Sequence, residues 1–474
     1  MTQIATLERA FPSGEKQERN HWWALPVLMA GTVLIVLDFF VVNVALPSIQ
    51  AGLSASATAL EWVVAGYGLT FAALMVTAGR LADRFGRRRI FSAGMALFAL
   101  ASTLCAVAPT ASVLVVARLL QGGAAALISP TVLSLLGVIY TGQERVKAIS
   151  VYGMVMGVAA AGGQLLGGSL VQANVAGLGW RSIFLLNLPV AALALLAAPF
   201  LVPESKAVKA PALDVTGVTL VTAGLVALVL PLVEGRQLGW PAWSWGSLAA
   251  APVLLACFAG HQLRLGRSGG APLMPPSLFR KASLRAGLVT QLGFWCGQAA
   301  LFLVLALYLQ EGRHLSPLRA GLVFSILAAT YLATSLRAPA LTVRFGRDLI
   351  ALGALVLAAG EGVLAAAVAT GGSFGVLTGG LLLAGAGMGL CVTPLTAVVL
   401  AHAEAESAGA LTGVLSTVQQ VGNALGVAVT GAIFFGAAGS GIPHAFVLSA
   451  TELGCLLTAV AVLTRLLPAR GRPS

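Results

Sequence analysis

The chain has 474 residues, of which 58% are hydrophobic and only 9% are charged. A water-soluble protein carries about 25% charged residues, so the composition excludes an ordinary soluble enzyme and indicates a protein that crosses a membrane many times. The net charge of +12 would suggest a nucleic-acid partner in a soluble chain, but the basic residues lie between apolar segments and form no long basic tail. We therefore expect a lipid bilayer, and no nucleic acid, as the partner.

Apolar segments of membrane-spanning length recur through the whole chain. A helix that crosses a bilayer needs about 17–25 residues, and fourteen segments meet this requirement. The sequence therefore predicts an all-α polytopic membrane protein. The predicted spans lie at about residues 24–46, 62–79, 90–108, 112–139, 149–173, 182–202, 215–233, 246–263, 286–309, 319–343, 349–370, 374–400, 409–437 and 444–467.

The loops between these spans differ strongly in charge. If the N-terminus lies inside, most of the Lys and Arg residues outside the spans fall on the inner side. Cytoplasmic loops carry such an excess of basic residues, and an even number of spans returns the chain to the side on which it began. We therefore expect both termini in the cytoplasm and a multi-pass protein of the cell membrane.

Two polar connections divide the spans into groups of six, two and six. The second connection combines glycine, proline and basic residues, which is typical of a flexible linker. Two six-helix bundles are the repeated halves common in secondary transporters, and the two middle helices would be an insertion. The predicted parts are a cytoplasmic tail (1–20), an N-terminal bundle (21–202), an inserted helix pair (203–263), a cytoplasmic linker (264–285), a C-terminal bundle (286–467) and a second cytoplasmic tail (468–474).

A charged residue deep inside a predicted span costs about 2.5–3.5 kcal/mol on insertion scales and is a functional candidate; Arg337, near the inner end of its span, can instead extend to the interface. Asp38 and Arg118 lie roughly 12 and 9 Å below the outer surface at 1.5 Å per residue, so they can pair between neighbouring helices. The pair either couples transport to protons or is a buried structural ion pair. Glu361 is a further candidate for proton coupling, and Glu452 is a weaker one.

Polar amides recur in several spans and suggest a central cavity. Amides and aromatics that face a cavity suit a mostly apolar ligand with a few polar groups, although hydrogen bonding between helices would also explain them. The sequence predicts a small-molecule cavity lined by Asn43, Gln121, Gln164, Gln291, Trp295, Gln298, Gln419, Gln420 and Asn423.

Motifs for other chemistries are missing from the sequence. It contains no Gly-x-x-x-x-Gly-Lys-Ser/Thr segment, which argues against ATP-driven pumping. The cysteines and histidines show no metal-binding spacing, and the spans contain no evident catalytic dyad. We therefore expect neither an enzyme nor a bound metal or cofactor.

Five stretches resemble the major facilitator superfamily, and specifically its fourteen-helix drug:proton antiporter branch. The resemblance implies two six-helix bundles plus an inserted pair, and the exchange of external protons for an internal amphipathic compound by a protein that acts as a monomer. It identifies Gly163, Gly167 and Gly168 as the glycines of the antiporter motif. The stretches lie at residues 37–47, 79–89, 118–123, 163–168 and 180–189.

The resemblance also implies a cytoplasmic gate in the loop between helices 2 and 3, because helix 2 lies against helix 13 in this fold. We expect Asp83 to face the N-terminus of helix 13 near Ser407, where the helix dipole attracts an acid. Glu404 and Glu406 would face the arginines that follow Gly86. The predicted gate residues are Gly79, Asp83, Arg84, Gly86, Arg87 and Arg88.

Two departures from the family pattern leave alternatives open. Gln164 stands where the family usually has proline, which puts the usual kink in helix 5 in doubt and keeps a proton-coupled nutrient importer as a second hypothesis. Phe40 stands where a small hydroxyl residue is common, so the site should be narrower and more aromatic. A third hypothesis is a receptor or scaffold that has lost transport, against which the intact Asp38 and Arg118 argue.

Overall fold

The computed structural model describes residues 21–207, 213–270, 272–274, 282–400 and 408–467, and within these ranges it contains helices and no strands. Fourteen helical segments are long and apolar enough to cross a membrane, the sixth being Gly179–Leu201, in which short helical turns precede α6. This confirms the all-α fold and the number of spans. They are α1 (Ala24–Leu53), α2 (Ala57–Phe85), α3 (Arg87–Val107), α4 (Ala111–Ile139), α5 (Gly142–Ala173), α6 (Asn187–Leu201), α7 (Val215–Glu234), α8 (Ala242–Arg267), α9 (Ala282–Leu307), α10 (Pro317–Phe345), α11 (Arg347–Ala369), α12 (Phe374–Leu400), α13 (Ala408–Ala437) and α14 (Ile442–Leu463).

Short polar residues mark the starts of several helices, and glycines mark the ends of others. Ser56 precedes α2, and its side chain accepts a hydrogen bond from the Ala59 N–H. Ser316 caps α10 in the same way, because a hydroxyl satisfies an N–H that has no partner in the first turn. Gly86 ends α2 and Gly346 ends α10, with φ angles of 112° and 56° that favour glycine.

These two glycines stand at corresponding places in the two halves. The Arg-Phe-Gly-Arg sequence at 84–87 recurs at 344–347, and each copy joins the second helix of a six-helix group to the third. Helices α1–α6 pack mainly on one another, and so do α9–α14. The repeat and the packing together describe two bundles of similar construction. The predicted tails lie outside the described residues.

Within the inserted pair, α7 packs against α2 and α13, and α8 packs on α7. At the inner end of the pair, the Asp214 carboxylate accepts hydrogen bonds from the Gly217 N–H at 2.8 Å and from Gln262 at 2.6 Å, and lies 2.7 Å from His261. Burial alone would raise the pKa of Asp214, but the hydrogen bonds outweigh it and hold this pKa below its usual value. The start of α7 is therefore fixed to α8 by a charged cap.

The two bundles meet along two seams, α5 with α10 and α2 with α13. Helices α5 and α10 form one seam. The space beside each glycine in these two helices shows how closely the helices approach one another. A Cβ at Gly168 would overlap the Pro317 carbonyl oxygen, and one at Gly321 would lie 2.7 Å from the Gln164 carbonyl oxygen. Nearer the cytoplasm, a Cβ at Gly157 would lie 3.8 Å from the Leu332 side chain. The closest approach of the two helices is therefore near their outer ends, at Gly168 and Gly321, and they remain in van der Waals contact at Gly157.

Candidate functional site

Asp38 and Arg118 form an ion pair at the centre of the N-terminal bundle. The structure brings these two charges together with relative exposures of 0% and 1%. Arg118 Nη1 contacts Asp38 Oδ2 and donates to Gln121 Oε1 at 2.6 Å, while its Nε donates to the Val63 carbonyl at 2.9 Å. The guanidinium is therefore held by α1, α2 and α4 together, which fixes its orientation as well as its charge.

Two further side chains complete this network. Gln121 Nε2 donates to Asp38 Oδ1 at 2.8 Å and to Ser102 Oγ at 2.9 Å. Asn187 Nδ2 donates to the same Asp38 oxygen at 2.9 Å and to Ser102 at 3.1 Å. Sequence reasoning missed Ser102, a single hydroxyl in an apolar run, and gave Asn187 no role, although it lies in the 180–189 stretch that resembles the family. We name these five residues, Asp38, Ser102, Arg118, Gln121 and Asn187, the carboxylate network.

An aromatic ring covers the same ion pair. The Arg118 guanidinium carbon lies 4.4 Å from the centroid of the Tyr67 ring, a distance at which a cation is attracted to the ring face. Tyr67 is fully buried, and its hydroxyl has no hydrogen-bond partner among the described residues. The contact compensates in part for removing Arg118 from water without supplying another negative charge.

A second group of aromatic rings crosses between the two bundles. Phe40 of α1 meets Phe302 of α9 edge-on, with ring centroids 4.9 Å apart, and Phe302 stacks on Phe324 of α10 at 5.6 Å. On the outer side of these rings, Gln310 donates to the Val44 carbonyl at 2.8 Å. We name Phe40, Phe302 and Phe324 the aromatic roof, because they lie where the two bundles meet near the outer side.

The glycines of the antiporter motif hold three helices close together. A Cβ at Gly163 would lie 3.0 Å from the Phe40 Cβ, and one at Gly167 would lie 2.9 Å from the Val41 carbonyl oxygen, both in α1. Gly168 instead faces Pro317 at the start of α10. These glycines therefore permit the crossing of α1, α5 and α10 that closes the outer side.

Gln164 lies among these glycines, and α5 is helical throughout Gly142–Ala173. The Gln164 side chain is buried, and neither of its amide atoms has a hydrogen-bond partner among the described residues. Leaving such a group unpaired costs about 1–3 kcal/mol. The described residues therefore leave both polar atoms of the Gln164 amide unpaired inside the protein.

The remaining cavity candidates divide between satisfied and unsatisfied amides. Asn43 donates to the Phe39 carbonyl in its own helix at 3.0 Å, and Asn423 donates to Gln420 at 3.3 Å. Gln121 is engaged in the carboxylate network rather than free to meet a ligand. Trp295, Gln419 and Gln420 are half-buried. Atoms without a partner in the described part of the chain belong to Asn43, Gln291, Gln298 and Asn423.

Glu361 lies in the other bundle, separate from the carboxylate network. It is fully buried in α11, and neither carboxylate oxygen has a hydrogen-bond partner among the described residues. Glu452 of the neighbouring α14 accepts a hydrogen bond from Thr430 at 2.9 Å. A carboxylate buried without donors favours its neutral form, which is the property required of a proton carrier.

At the cytoplasmic end, Gly86 alone separates α2 from α3, so the predicted loop at 79–89 consists mostly of helix ends. This basic turn, which we continue to call the basic loop, is fixed to the end of α6. Asp83 pairs with Arg87 at 2.9 Å, and its carbonyl accepts from the Ala207 N–H at 3.1 Å. Glu204 accepts from the Arg88 N–H at 3.1 Å, and a Cβ at Gly86 would lie 2.7 Å from a Glu204 oxygen. Sequence reasoning missed Glu204.

The remaining residues of the predicted gate, Arg84 and Gly79, make few contacts with the rest of the protein. Arg84 lies over the Phe85 ring at 5.6 Å, and Gly79 has open space around it, since a Cβ there would first meet Pro130 at 4.0 Å. The predicted partners Glu404, Glu406 and Ser407 lie outside the described residues. At the corresponding place in the second half, Arg347 donates instead to the carbonyls of Arg465 and Leu467 after α14.

Comparisons with known proteins agree with this architecture. The profile of the Major Facilitator Superfamily matches residues 28–427. The chain is 40% identical over 439 residues to the probable actinorhodin transporter of Streptomyces coelicolor, covering 90% of this chain and 75% of that protein. It is 33% identical over 428 residues to the tetracenomycin C resistance and export protein of Streptomyces glaucescens, covering 89% and 77%. The E. coli xylose transporter XylE has the same fold, with a TM-score of 0.66 at 18% identity, covering 94% of this chain and 97% of that one.

Proposed function

The chain belongs to the Major Facilitator Superfamily and is a multi-pass membrane transporter rather than an enzyme, and on that premise we propose that it exports a small amphipathic compound in exchange for protons. The antibiotics named for its relatives, actinorhodin and tetracenomycin C, are the first candidates for that compound. The proposal places the protein in the cell membrane as a monomer without a cofactor, driven by the proton gradient.

The observation that carries the proposal is the carboxylate network. Asp38 is fully buried, and its negative charge is balanced by one guanidinium and two amide donors. Adding a proton to Asp38 removes that balance and leaves Arg118 with the Val63 carbonyl and Gln121. Each proton that moves inward down a membrane potential supplies about 2.3 kcal/mol per 100 mV. Shifting a two-state equilibrium tenfold needs about 1.4 kcal/mol. The energy supplied by one proton at 100 mV therefore exceeds what a tenfold shift between two conformations of the transporter requires.

The exported compound would lie between the aromatic roof and the cytoplasm. The unsatisfied amides of Gln291 and Gln298 in α9 and of Asn423 in α13 supply polar contacts, and the roof blocks the outer side. A pocket that combines rings with a few amides suits an apolar compound with several polar groups. Glu361 is the second proton carrier in this scheme, in the C-terminal bundle.

The basic loop is the proposed inner gate. The Arg87 N–H donates to the Ser205 carbonyl and the Arg88 N–H donates to Glu204, both beyond the end of α6, so the loop moves with its own bundle as a rigid unit. Gly79 and Arg84 lie on the part of α2 that would approach α13 when the inner side closes. Alternating access then consists of closing this side while α5 and α10 separate outside.

Transport into inverted membrane vesicles tests the proposal. An acid interior imposed on such vesicles should drive accumulation of tetracenomycin C or actinorhodin and make the vesicle interior less acidic as protons leave. Asp38→Asn should abolish both signals while the protein remains in the membrane, because asparagine keeps the shape but cannot carry the proton. A transporter that imports a nutrient would move its substrate in the same direction as the protons, and a receptor would move neither.

A further inference from the structure

Glu61 lies in the first turns of α2 and is distinct from the carboxylate network. Its relative exposure is 0%, and neither carboxylate oxygen has a hydrogen-bond partner among the described residues. The nearest opposite charge is Arg236 Nη2 at 3.7 Å. Among the described residues, two buried carboxyl groups accept no hydrogen bond, Glu61 and Glu361. Of these two, Glu61 is the one that lies against the inserted helix pair.

Three elements meet at Glu61. Arg236 belongs to the connection between α7 and α8, and the adjacent Glu234 accepts a hydrogen bond from Trp62 Nε1 at 2.6 Å. On the other side, a Cβ at Gly431 of α13 would lie 3.1 Å from the Glu61 carboxyl carbon. Glu61 is therefore enclosed by its own bundle, by the opposite bundle and by the inserted pair.

Arg236 extends this contact across the seam between the bundles. Its guanidinium carbon lies 5.8 Å from the centroid of the Phe435 ring in α13, and its Cδ is 3.8 Å from the position of a Cβ at Gly436. The Arg236 side chain is 26% exposed, whereas that of Glu61 is not exposed. Arg236 can thus reach water while Glu61 cannot as long as the seam is closed.

From this geometry we propose that Glu61 is a further proton-binding site, beyond Asp38 and Glu361, which takes up a proton from the outer side when the seam between α2 and α13 closes. The inference rests on the proposed proton-coupled function. When the seam opens, water reaches Glu61 and hydrates its ionised form. When it closes, burial without hydrogen-bond donors favours the neutral acid, and the single cation at 3.7 Å opposes this only in part.

The surrounding charges are few. Arg236 and Glu234 face Glu61 from the inserted pair, while α13 presents the uncharged Gly431 and Phe435. Arg118 of α4 reaches α2 at Val63 but is paired with Asp38. Because the proton enters and leaves Glu61 on the outer side, it is not transported. It makes closure of the outer seam depend on external pH.

Infrared difference spectroscopy of the purified transporter, titrated over pH, tests this proposal directly. A protonated carboxyl group has a C=O stretching band that disappears on ionisation, so Glu61→Gln should lack one titrating band that the wild type has. Asp348→Asn, which removes a carboxylate whose side chain is 72% exposed, should keep that band. Identical titration of wild type and Glu61→Gln would overturn the proposal.

A second variant keeps Glu61 and removes its cation. Arg236→Gln should shift the same band to higher pH, since the opposing positive charge is gone. In cells, Glu61→Gln should flatten the dependence of export on external pH while export remains driven by the proton gradient. If Asp38→Asn leaves transport intact, the proposed function fails. If only the band and the pH profile are unchanged in Glu61→Gln, the function stands and this inference fails.

Discussion

Phe40 of the N-terminal bundle and Phe302 of the C-terminal bundle meet edge-on, with ring centroids 4.9 Å apart. Such a pair contributes about 0.5–1.5 kcal/mol beyond its buried area. Gly163 allows this position, because its missing side chain leaves room for the Phe40 Cβ. The two rings therefore connect the bundles where the outer side must open during transport.

We expect Phe40→Ser to lower the ratio of molecules closed on the outer side to molecules open there by a few-fold to about tenfold. A loss of about 1.4 kcal/mol corresponds to a tenfold change in this ratio. Spin labels on the outer ends of α5 and α10 should then show a larger share of long distances. Phe374→Ser is the control, because that ring is 50% exposed at the start of α12. An unchanged distance distribution in Phe40→Ser would show that the roof does not hold the bundles together.

The geometry of Arg118 predicts that its charge alone is not sufficient. Its Nε binds the Val63 carbonyl while Nη1 binds both Asp38 and Gln121. Lysine keeps the charge but cannot make these contacts at once. Arg118→Lys should therefore reduce gradient-driven export at least tenfold and alter its pH dependence. Transport in vesicles at several pH values measures both effects. An unchanged rate and pH profile would show that only the positive charge of Arg118 matters, and not its hydrogen bonds.

Two glycines in α5 allow a matched comparison of the outer seam. A Cβ at Gly168 would overlap the Pro317 carbonyl oxygen, whereas one at Gly162 would meet nothing within 4 Å. Gly168→Ala should push α5 away from α10 and sharply reduce export. Gly162→Ala should fold at least as well as the wild type, because alanine favours a helix by about 1 kcal/mol over glycine. Equal export by both variants would contradict the role of Gly168 in closing the seam.

The sequence predicted the spans well because their apolar length is a direct signal, but it placed their ends poorly. The second span was predicted to begin at residue 62, whereas α2 begins at Ala57 and continues to Phe85. A helix does not stop at the edge of the hydrocarbon region, so hydropathy alone shortens it. This explains why Glu61 was missed, since the prediction left it just outside the span.

Three members of the carboxylate network, Asp38, Arg118 and Gln121, were singled out from the sequence, whereas Ser102 was not. Asp38 and Arg118 are conspicuous inside apolar runs, whereas Ser102 is one hydroxyl among many that could bond to their own helix. Its role depends on how α3 and α6 pack beside α4, which no local pattern encodes. Glu204 was missed for a similar reason, because nothing in the sequence near residue 204 indicates that it lies against Gly86.

The loop between α2 and α3 gives the last prediction. Glu204 accepts hydrogen bonds from the backbone N–H groups of Arg88 and Ser205 at 3.1 and 3.0 Å, and its carboxylate lies 3.7 Å from Arg89. A hydrogen bond to a charged group contributes about 1.5–3 kcal/mol. Glu204→Gln removes the charge but keeps the side-chain length, so it should loosen this loop without unfolding α6.

Hydrogen exchange measures that loosening with an internal control. In Glu204→Gln the amides of residues 87–90 should exchange about tenfold faster, because about 1.4 kcal/mol of local stability corresponds to tenfold. The amides of 347–350, at the corresponding place in the second half, should be unchanged, since Arg347 is held by the carbonyls of Arg465 and Leu467 instead. Equal acceleration in both loops would mean that the variant disturbs the whole protein, and no acceleration would mean that Glu204 does not fix the gate loop.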